Sequence, residues 1–398
     1  MKFIENFFQG IRPDFEEGGK YYKWATFYHT FFTFMYTPDY VTKKGSHIRD
    51  SIDLKRTMTI VILALIPATL YGMWNLGYQH FLAIGETASL MENFWFGFIQ
   101  SLPMILVSYI VGLGVEFLFA LKHHEGLQEG FLVSGLLIPL IMPINVPLWM
   151  VAVATIFAVV IGKEVFGGTG MNIVNIAITA RAFLFFAYPT KMAGSKVWID
   201  LAGETPADGY TGETALAIAI EGGTEAVNAA GMSLMDAFWG HIPGSIGETS
   251  TVAILIGAFI LIYTGIGSWK IMVSAIAGGS IMALIFNWLG GSYFPDNLYL
   301  QLDWMHHLVL GGFMFGVVFM ATDPVTATQT EKGKWIYGFF IGLLAILIRT
   351  VNPAYPEGMM MAILFMNIMA PMIDHYVVEA NIKKRMKRLK AAQAAINN

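Results

Sequence analysis

The sequence predicts an all-α polytopic membrane protein, with about ten transmembrane helices arranged as two inverted five-helix repeats that contain broken helices. Of its 398 residues, 56% are hydrophobic and 13% are charged, whereas soluble domains are about 45–50% apolar and about 25% charged. Apolar runs of spanning or near-spanning length recur along the chain, and glycine and proline interrupt several of them. Such breaks are tolerated only where the backbone is buried in protein or lines a cavity.

Two blocks of five apolar runs account for the predicted spans. The first repeat covers residues 57–189, with helices expected at 57–76, 98–121, 131–145, 149–166 and 173–189. The second repeat covers residues 251–378, with helices expected at 251–268, 271–289, 305–322, 335–351 and 358–378. The remaining parts are an N-terminal segment without a cleavable signal, a polar loop and a basic tail, at 1–56, 190–250 and 379–398.

The distribution of lysine and arginine predicts the orientation of these spans. With residues 1–56 placed inside, 20 of the 24 Lys and Arg residues fall on the inner side. Cytoplasmic loops of membrane proteins carry this excess of positive charge. Both termini are therefore expected in the cytoplasm, and the loop 190–250 is expected on the extracytoplasmic side.

Weak internal similarity predicts the repeat. The stretch 54–63, entering the first span, loosely resembles 246–255, entering the sixth. The stretch 142–147 follows the third span where 321–326 follows the eighth. Because five is odd, two consecutive five-helix halves lie in opposite orientations, and ligands in such folds bind near the interface of the halves at broken helices.

A glycine-rich run between the fourth and fifth spans is the first candidate binding segment. It includes Gly168 and Gly170 and is followed by Asn172 and Asn175. Glycines let the backbone approach a ligand, and the amides of a following helix N-terminus can hold a phosphate or a ring carbonyl. The spacing matches neither a Walker nor a Rossmann motif. A helix break that only eases packing is an equally compatible interpretation.

Ionisable residues within apolar runs form a second group of candidates. Glu116 and Asp374, near the inner ends of the second and tenth spans, are candidate cation ligands or quinone partners, or carboxylates that reach interfacial water. Arg181 is predicted to pair with an anion or a carbonyl and is a candidate anchor for a flavin phosphate. Asp323 and Asn352 each precede a proline, where freed carbonyls could coordinate a cation or simply be satisfied within a kink.

The segment 208–214, with the sequence Asp-Gly-Tyr-Thr-Gly-Glu-Thr, is the most informative short motif. It is a tight polar turn that ends in Thr214, within a loop too polar to span the membrane. A loop of this length is usually functional or disordered. Thr214 is therefore a candidate site of covalent attachment, with an idle surface turn as the alternative.

Composition excludes several other kinds of chemistry. The chain has no cysteine, so it supplies no thiolate for an iron–sulfur cluster, a disulfide or a catalytic thiol. Its nine histidines lack a metal-ligand spacing such as His-Glu-x-x-His, and no metal site is expected. The net charge of −4 gives no reason to expect nucleic-acid binding.

Several segments taken together resemble the B-subunit family of sodium-translocating NADH:quinone oxidoreductases and, more distantly, the D subunits of Rnf complexes. The resemblance extends over nearly the whole chain. Its motifs lie at 18–20, 36–38, 46–56, 163–170, 181–189, 243–248, 320–325 and 352–360.

The resemblance implies two flavins. FMN would be joined through its phosphate to Thr214 by a separate flavin transferase, and riboflavin would be held noncovalently. This chain has Thr211 and Glu213 where serine and alanine are common in the family's attachment motif. Asn172 and Asn175 correspond to flavin-neighbouring asparagines of the family. The expected flavin-binding set is Thr214, Asn172, Asn175, Gly168, Gly170, Arg181 and Ser134.

The resemblance also implies a quinone substrate, a sodium path and several partners. Gly112 and Glu116 correspond to a quinone region near the cytoplasmic face, and Asp374, with Glu116, to carboxylates that handle sodium. The expected partners are subunits of the A, C, D, E and F types, together with quinone, Na⁺ and membrane lipid. The expected location is the bacterial inner membrane.

Two function classes follow from these observations. In the first, the chain is a redox subunit that passes electrons from covalent FMN through riboflavin to a quinone, coupled to sodium translocation. In the second, it is a channel or carrier of ions or small polar solutes, because inverted repeats with broken helices also serve conduction. The second hypothesis does not explain the turn at Thr214.

Overall fold

The computed structural model describes most of the chain and contains only helices as regular structure in the described residues. Those residues are 2–16, 18–22, 25, 28, 32, 42, 44–48, 54–123, 130–193, 197–201, 203, 205–207, 210, 212–352 and 358–397. Of the sequence motifs, Asp208, Gly209 and Thr211 of the polar turn lie outside the described residues. Pro353 and the segment 36–38 also lie outside them.

Within the described residues, the first half contains seven α-helices with defined bounds, of which five correspond to predicted spans. They are α1 (Lys2–Phe15), α2 (Leu54–Ile84), α3 (Leu90–His123), α4 (Phe131–Leu140), α5 (Leu148–Gly162), α6 (Ile176–Ala187) and the short α7 (Pro189–Met192). Residues Glu164–Phe166 add one 3₁₀ turn. The predicted loop 190–250 then contributes two further helices, α8 (Ala215–Ala229) and α9 (Leu234–Trp239).

The second half continues with six α-helices in the described residues. They are α10 (Thr251–Tyr263), α11 (Trp269–Ser292), α12 (Trp304–Val309), α13 (Phe313–Phe315), α14 (Glu331–Val351) and α15 (Met359–Asn397). A 3₁₀ turn at Leu298–Gln301 precedes α12, and a π-helix at Gly316–Met320 follows α13. α15 runs on through the basic tail as one helix.

This architecture confirms the prediction of an all-α, multi-pass membrane protein. Among the described residues, six helices are long and apolar enough to cross a membrane: α2, α3, α5, α11, α14 and α15. The shorter helices α4, α6 and α10 are also apolar. Each of the ten predicted spans therefore contains helix, although the boundaries differ at several ends.

One difference lies in the first span, which was expected to end at residue 76 and continues to Ile84. Its last turns carry polar residues that are nevertheless buried, such as Asn75, Gln79 and His80. Asn75 donates to the carbonyl of Ile242 at 2.9 Å, and the His80 Nδ1 lies 2.6 Å from the carbonyl oxygen of Asp200. Because partners from the loop region satisfy these groups, the helix extends beyond the apolar run.

The eighth span is broken near its middle. Gly311 and Gly312 have φ angles of +64° and +68°, a conformation that only glycine adopts without strain. Arg349 of α14 donates to the exposed carbonyl oxygens there, at 2.8 Å to His307, 3.1 Å to Leu310 and 3.2 Å to Gly311. The sequence prediction of one helix over 305–322 was therefore wrong, because two glycines and a fully buried arginine stabilise a break inside an apolar run.

Two helix pairs recur in the two halves. α3 packs against α5 and α5 against α6, as α11 packs against α14 and α14 against α15. α2 contacts α10 and α6 contacts α15 across the halves. At the α11–α14 contact, a Cβ on Gly342 would overlap the carbonyl oxygen of Ala275. These recurring pairs are what two structural repeats predict.

Candidate functional site

Thr214 lies at the edge of a cavity. It is the N-cap of α8, and its Oγ1 accepts a hydrogen bond from the N–H of Ala217 at 3.3 Å. The side chain is partly buried, and it lines a cavity of about 200 Å³. Other residues around this cavity include Phe185, Trp198, Glu213, Ile242, Glu248 and Gly312. The structure therefore places the predicted attachment residue at a pocket and not on a flat surface turn.

The position of Thr214 suits a phosphoryl group. α8 runs without interruption from 215 to 222, before a kink at Gly223, and the first N–H groups of a helix have no intrahelical partner. Their exposed donors and the positive end of the helix dipole favour an anion at this point. Nearby Tyr210 stays protonated, because burial raises the pKa of its hydroxyl to about 12. A phosphodiester on the Thr214 oxygen would meet the backbone N–H donors of the first turn of α8.

One wall of the Thr214 cavity carries a buried ion pair. Glu248 lines the cavity, and its carboxylate accepts hydrogen bonds from Ser245 and from Arg181, whose Nη1 lies 3.4 and 3.5 Å from the two oxygens. Arg181 also donates to the carbonyl of Ile141, at the end of α4, and lies 5.6 Å from the ring centroid of Trp198. Arg181 is not among the residues that line the cavity. Its expected pairing with an anion and a carbonyl is present, and the anion is Glu248.

The break in the eighth span lines the cavity beside Glu248. A Cβ on Gly312 would lie 2.5 Å from a carboxylate oxygen of Glu248, so the chain passes directly against that side chain. A Cβ on Gly311 would overlap Leu216, the second residue of α8. Glu248, Trp198 and this glycine pair were not predicted from the sequence to be cavity residues. The motif 243–248 is recognisable in the sequence, but no local spacing indicates which segment of the fold packs against it.

A second cavity brings together Ser134, Asn172 and Asn175. The cavity measures about 80 Å³, and Asp323 and Lys163 add further polar groups to its lining. Its apolar walls are provided by Leu137, Ile176 and Phe319. The three expected flavin neighbours, which come from two separate segments, therefore share one site.

The polar lining of this second cavity is held by hydrogen bonds. The Asn175 Oδ1 caps α6 by accepting from the N–H of Ile178 at 3.2 Å, and its Nδ2 donates to Asp323 Oδ2 at 3.5 Å. Thr326 Oγ1 donates to the same Asp323 oxygen at 3.0 Å. These bonds join the glycine-rich junction of the first half to the end of the broken span in the second half.

The two glycines of the glycine-rich run do not line the second cavity. Gly168 and Gly170 both have φ angles of +90°, and nothing lies within 4 Å of a Cβ built on either residue. The intervening Thr169 lines the cavity. The two glycines thus shape the turn, while Ser134, Asn172 and Asn175 provide the polar contacts.

The expected quinone residues lie on the inward face of α3. Glu116 is 4% exposed and forms an ion pair with Lys163, which is 2% exposed and lines the second cavity. Gly112 lies one helical turn away, where a Cβ would overlap the ring of Phe131. Both residues thus face the protein interior, and Lys163 connects Glu116 to the second cavity.

Asp374 lies at a helix N-terminus, apart from both cavities. Its two oxygens accept from the N–H of Gln329 at 2.7 Å, from the N–H of Thr330 at 3.0 Å and from Thr330 Oγ1 at 2.5 Å. Thr330 in turn is the N-cap of α14. Asp374 therefore fixes the start of α14 against α15. Among the described residues, the structure shows no cluster of three or more His, Asp or Glu residues that could hold a metal ion.

The two cavities lie at opposite ends of the same helices. Residues 242–249, before α10, line the Thr214 cavity, and Leu261 and Gly267, at the end of α10, line the second cavity. Ile176 begins α6 at the second cavity, and Phe185 near its end faces the Thr214 cavity. Because a helix of this length rises roughly 20 Å, the two sites are separated along the helix axes.

The known proteins that are similar to this chain agree with the matching family model. The model of a family described as NQR2, RnfD, RnfE matches residues 41–383. A protein of Chromohalobacter salexigens, named as the B subunit of a Na(+)-translocating NADH-quinone reductase, is 48% identical, over 99% of this chain and 98% of its own length. Proteins of the same name from Stutzerimonas stutzeri and Azotobacter vinelandii are 48% and 47% identical, each over 97% of this chain and 99% of the relative.

Proposed function

The chain belongs to the NQR2, RnfD, RnfE family, and from that premise we propose that it is the B subunit of a sodium-translocating NADH:quinone reductase. The relatives that cover its full length carry that name. Within the complex it would accept electrons on one side of a bacterial inner membrane and deliver them to a quinone near the other. Covalent FMN at Thr214 and noncovalent riboflavin would supply the electron-transfer chemistry.

The position of Thr214 is the observation that carries this proposal. A threonine hydroxyl at the N-cap of α8 and at the edge of a cavity can bear a phosphodiester outside the cavity and a planar group inside it. The first-turn N–H groups of α8 would hold the phosphoryl oxygens. Trp198, Phe185 and Ile242 would provide apolar contact for the ring.

The second cavity is the proposed riboflavin site. Its amide side chains, Asn172 and Asn175, and the Ser134 hydroxyl can donate to and accept from the polar edge of a flavin ring. Leu137, Ile176 and Phe319 would exclude water from the ring faces. The site lies at the junction of the two halves, where ligands of repeat-built membrane proteins bind.

The quinone and sodium assignments extend the same proposal. Gly112 and Glu116 mark the proposed quinone region, which Lys163 connects to the second cavity. Asp374 remains the proposed sodium-linked carboxylate, together with Glu116. With both termini in the cytoplasm, as the basic residues indicate, the Thr214 cavity would face the extracytoplasmic side and the second cavity the cytoplasmic side.

The proposal requires partners. A flavin transferase would attach FMN to Thr214, and the subunits of the A, C, D, E and F types would supply electrons and complete the sodium path. The chain also contacts lipid, since large apolar side chains such as Phe259, Tyr263 and Ile110 are exposed on the spanning helices.

Mass spectrometry of the peptide containing Thr214 tests this function directly. In a host that flavinylates proteins, we expect that peptide to carry the mass of FMN less water. Thr214→Ala should abolish the addition, whereas Thr211→Ala, which removes the turn's other threonine hydroxyl, should keep it. An unmodified Thr214 in the assembled complex would contradict the proposal.

The channel or carrier hypothesis predicts a different result. It requires uptake of ions or polar solutes by the isolated chain in liposomes, with no bound flavin. All three relatives described above are named as reductase subunits, and this favours the redox hypothesis.

A further inference from the structure

The ion pair between Glu248 and Arg181 has no role in the proposed function. Their side chains are 7% and 3% exposed, so both charges are removed from water. Charged groups in such surroundings are expensive to bury and are retained only when they are paired and hydrogen-bonded. Here both conditions hold, because Ser245 donates to Glu248 and Arg181 donates to Ile141.

The two charges are placed asymmetrically about the Thr214 cavity. Glu248 lines the cavity, whereas Arg181 does not line it and contacts two of its lining residues, Glu248 and Trp198. The Coulomb energy between two charges falls with the distance between them, and screening is weak in a buried site. A charge at the wall therefore acts on the cavity more strongly than a countercharge one side chain further away. The pair therefore contributes a negative potential to the cavity, although its total charge is zero.

The backbone around the pair keeps this arrangement fixed. Gly312 allows the chain to pass directly against the Glu248 carboxylate, where a Cβ would lie 2.5 Å from an oxygen. The pair is thus enclosed by α6, by the segment before α10 and by the break in the eighth span. A rigid, buried charge of this kind changes the energy of any electron placed in the cavity.

We propose that Glu248 and Arg181 set the reduction potential of the flavin carried by Thr214, with Glu248 holding it low and Arg181 limiting that effect. This inference rests on the proposed function. An electron accepted in the cavity adds negative charge, which Glu248 opposes and Arg181 favours. The two are positioning residues, since they act through the electric field in the cavity and not through the reacting atoms.

Redox titration of the covalent flavin in the purified complex tests the proposal. Its signal is isolated by subtracting the spectrum of the Thr214→Ala complex. Glu248→Gln should raise the midpoint potential, and Arg181→Met should lower it. Glu221→Gln, which removes an exposed carboxylate on α8 outside the cavity, should leave the potential unchanged.

A double variant covers the case in which a single change prevents folding. Glu248→Gln with Arg181→Met leaves no unpaired charge and should therefore fold. Its potential should lie above the wild-type value and below that of Glu248→Gln. Equal potentials in the double variant and the wild type, or shifts of the same sign in both single variants, would overturn the proposal.

The same samples separate this inference from the proposed function. Digestion of the wild-type complex shows whether the Thr214 peptide carries FMN. If it does not, the proposed function fails. If it does and the potentials do not move, only the role of Glu248 and Arg181 fails.

Discussion

Breaking the buried ion pair between Glu116 and Lys163 should strongly destabilise the protein. Both side chains are almost fully buried, at 4% and 3% exposure, and Lys163→Met would leave the Glu116 charge without its partner. Removing one member of a buried pair costs about 3–5 kcal/mol, whereas replacing both members by apolar groups of similar volume is often neutral. We therefore expect Lys163→Met to be far less stable than the double variant Glu116→Leu/Lys163→Met.

Thermal unfolding followed by size-exclusion chromatography of the detergent-solubilised protein measures this difference. An exposed pair on the same chain provides the control. Lys270 donates to Glu331, and these side chains are 27% and 64% exposed. Exposed pairs contribute little to stability, so Lys270→Met should change the unfolding temperature little. Equal losses from Lys163→Met and Lys270→Met would refute the argument from burial, and so would a double variant no more stable than Lys163→Met alone.

Two further changes test the packing and the capping of α14. Gly342→Ala should prevent the close contact of α11 with α14, because the new Cβ overlaps the carbonyl oxygen of Ala275, and the yield of folded protein should fall sharply. Gly291→Ala on α11, where nothing lies within 4 Å of a new Cβ, should be tolerated, and equal yields would refute the packing argument. Asp374→Ala should cost about 1–2 kcal/mol, because it removes the acceptors at the start of α14. Asp374→Asn should lose less, and a higher sodium requirement for turnover in Asp374→Asn would support the proposed sodium role.

Much of the fold could be predicted from the sequence because membrane insertion leaves a strong local signal. Long apolar runs identify the spans, and Gly and Pro indicate where some of them stop. The signal fails where burial depends on distant partners. Gln79 and His80 look like residues beyond a span, yet both are buried in α2, where the His80 Nδ1 lies 2.6 Å from the carbonyl oxygen of Asp200.

The candidate site was predictable to a lesser degree. Family resemblance indicated Ser134, Asn172 and Asn175, and the structure places them in one cavity. It also indicated Thr214, which lines the other cavity. Glu248 was not predicted, because an isolated carboxylate before an apolar run looks like an ordinary interfacial residue. Only the packing of α6 and of the broken span against it shows that it is buried.

Arg181 and Arg349, the two arginines within the predicted spans, explain the position of the Thr214 cavity in the fold. Arg181 donates to the carbonyl that ends α4, and Arg349 donates to the carbonyls that end α12. Carbonyls at helix ends need partners in a membrane, where water is absent. Gly247 packs between Leu140 and Phe315, one from each broken region. The two helix ends therefore meet at one point, where both halves expose polar backbone. The arginines that satisfy that backbone also hold Glu248 and the Gly311–Gly312 break at the cavity wall.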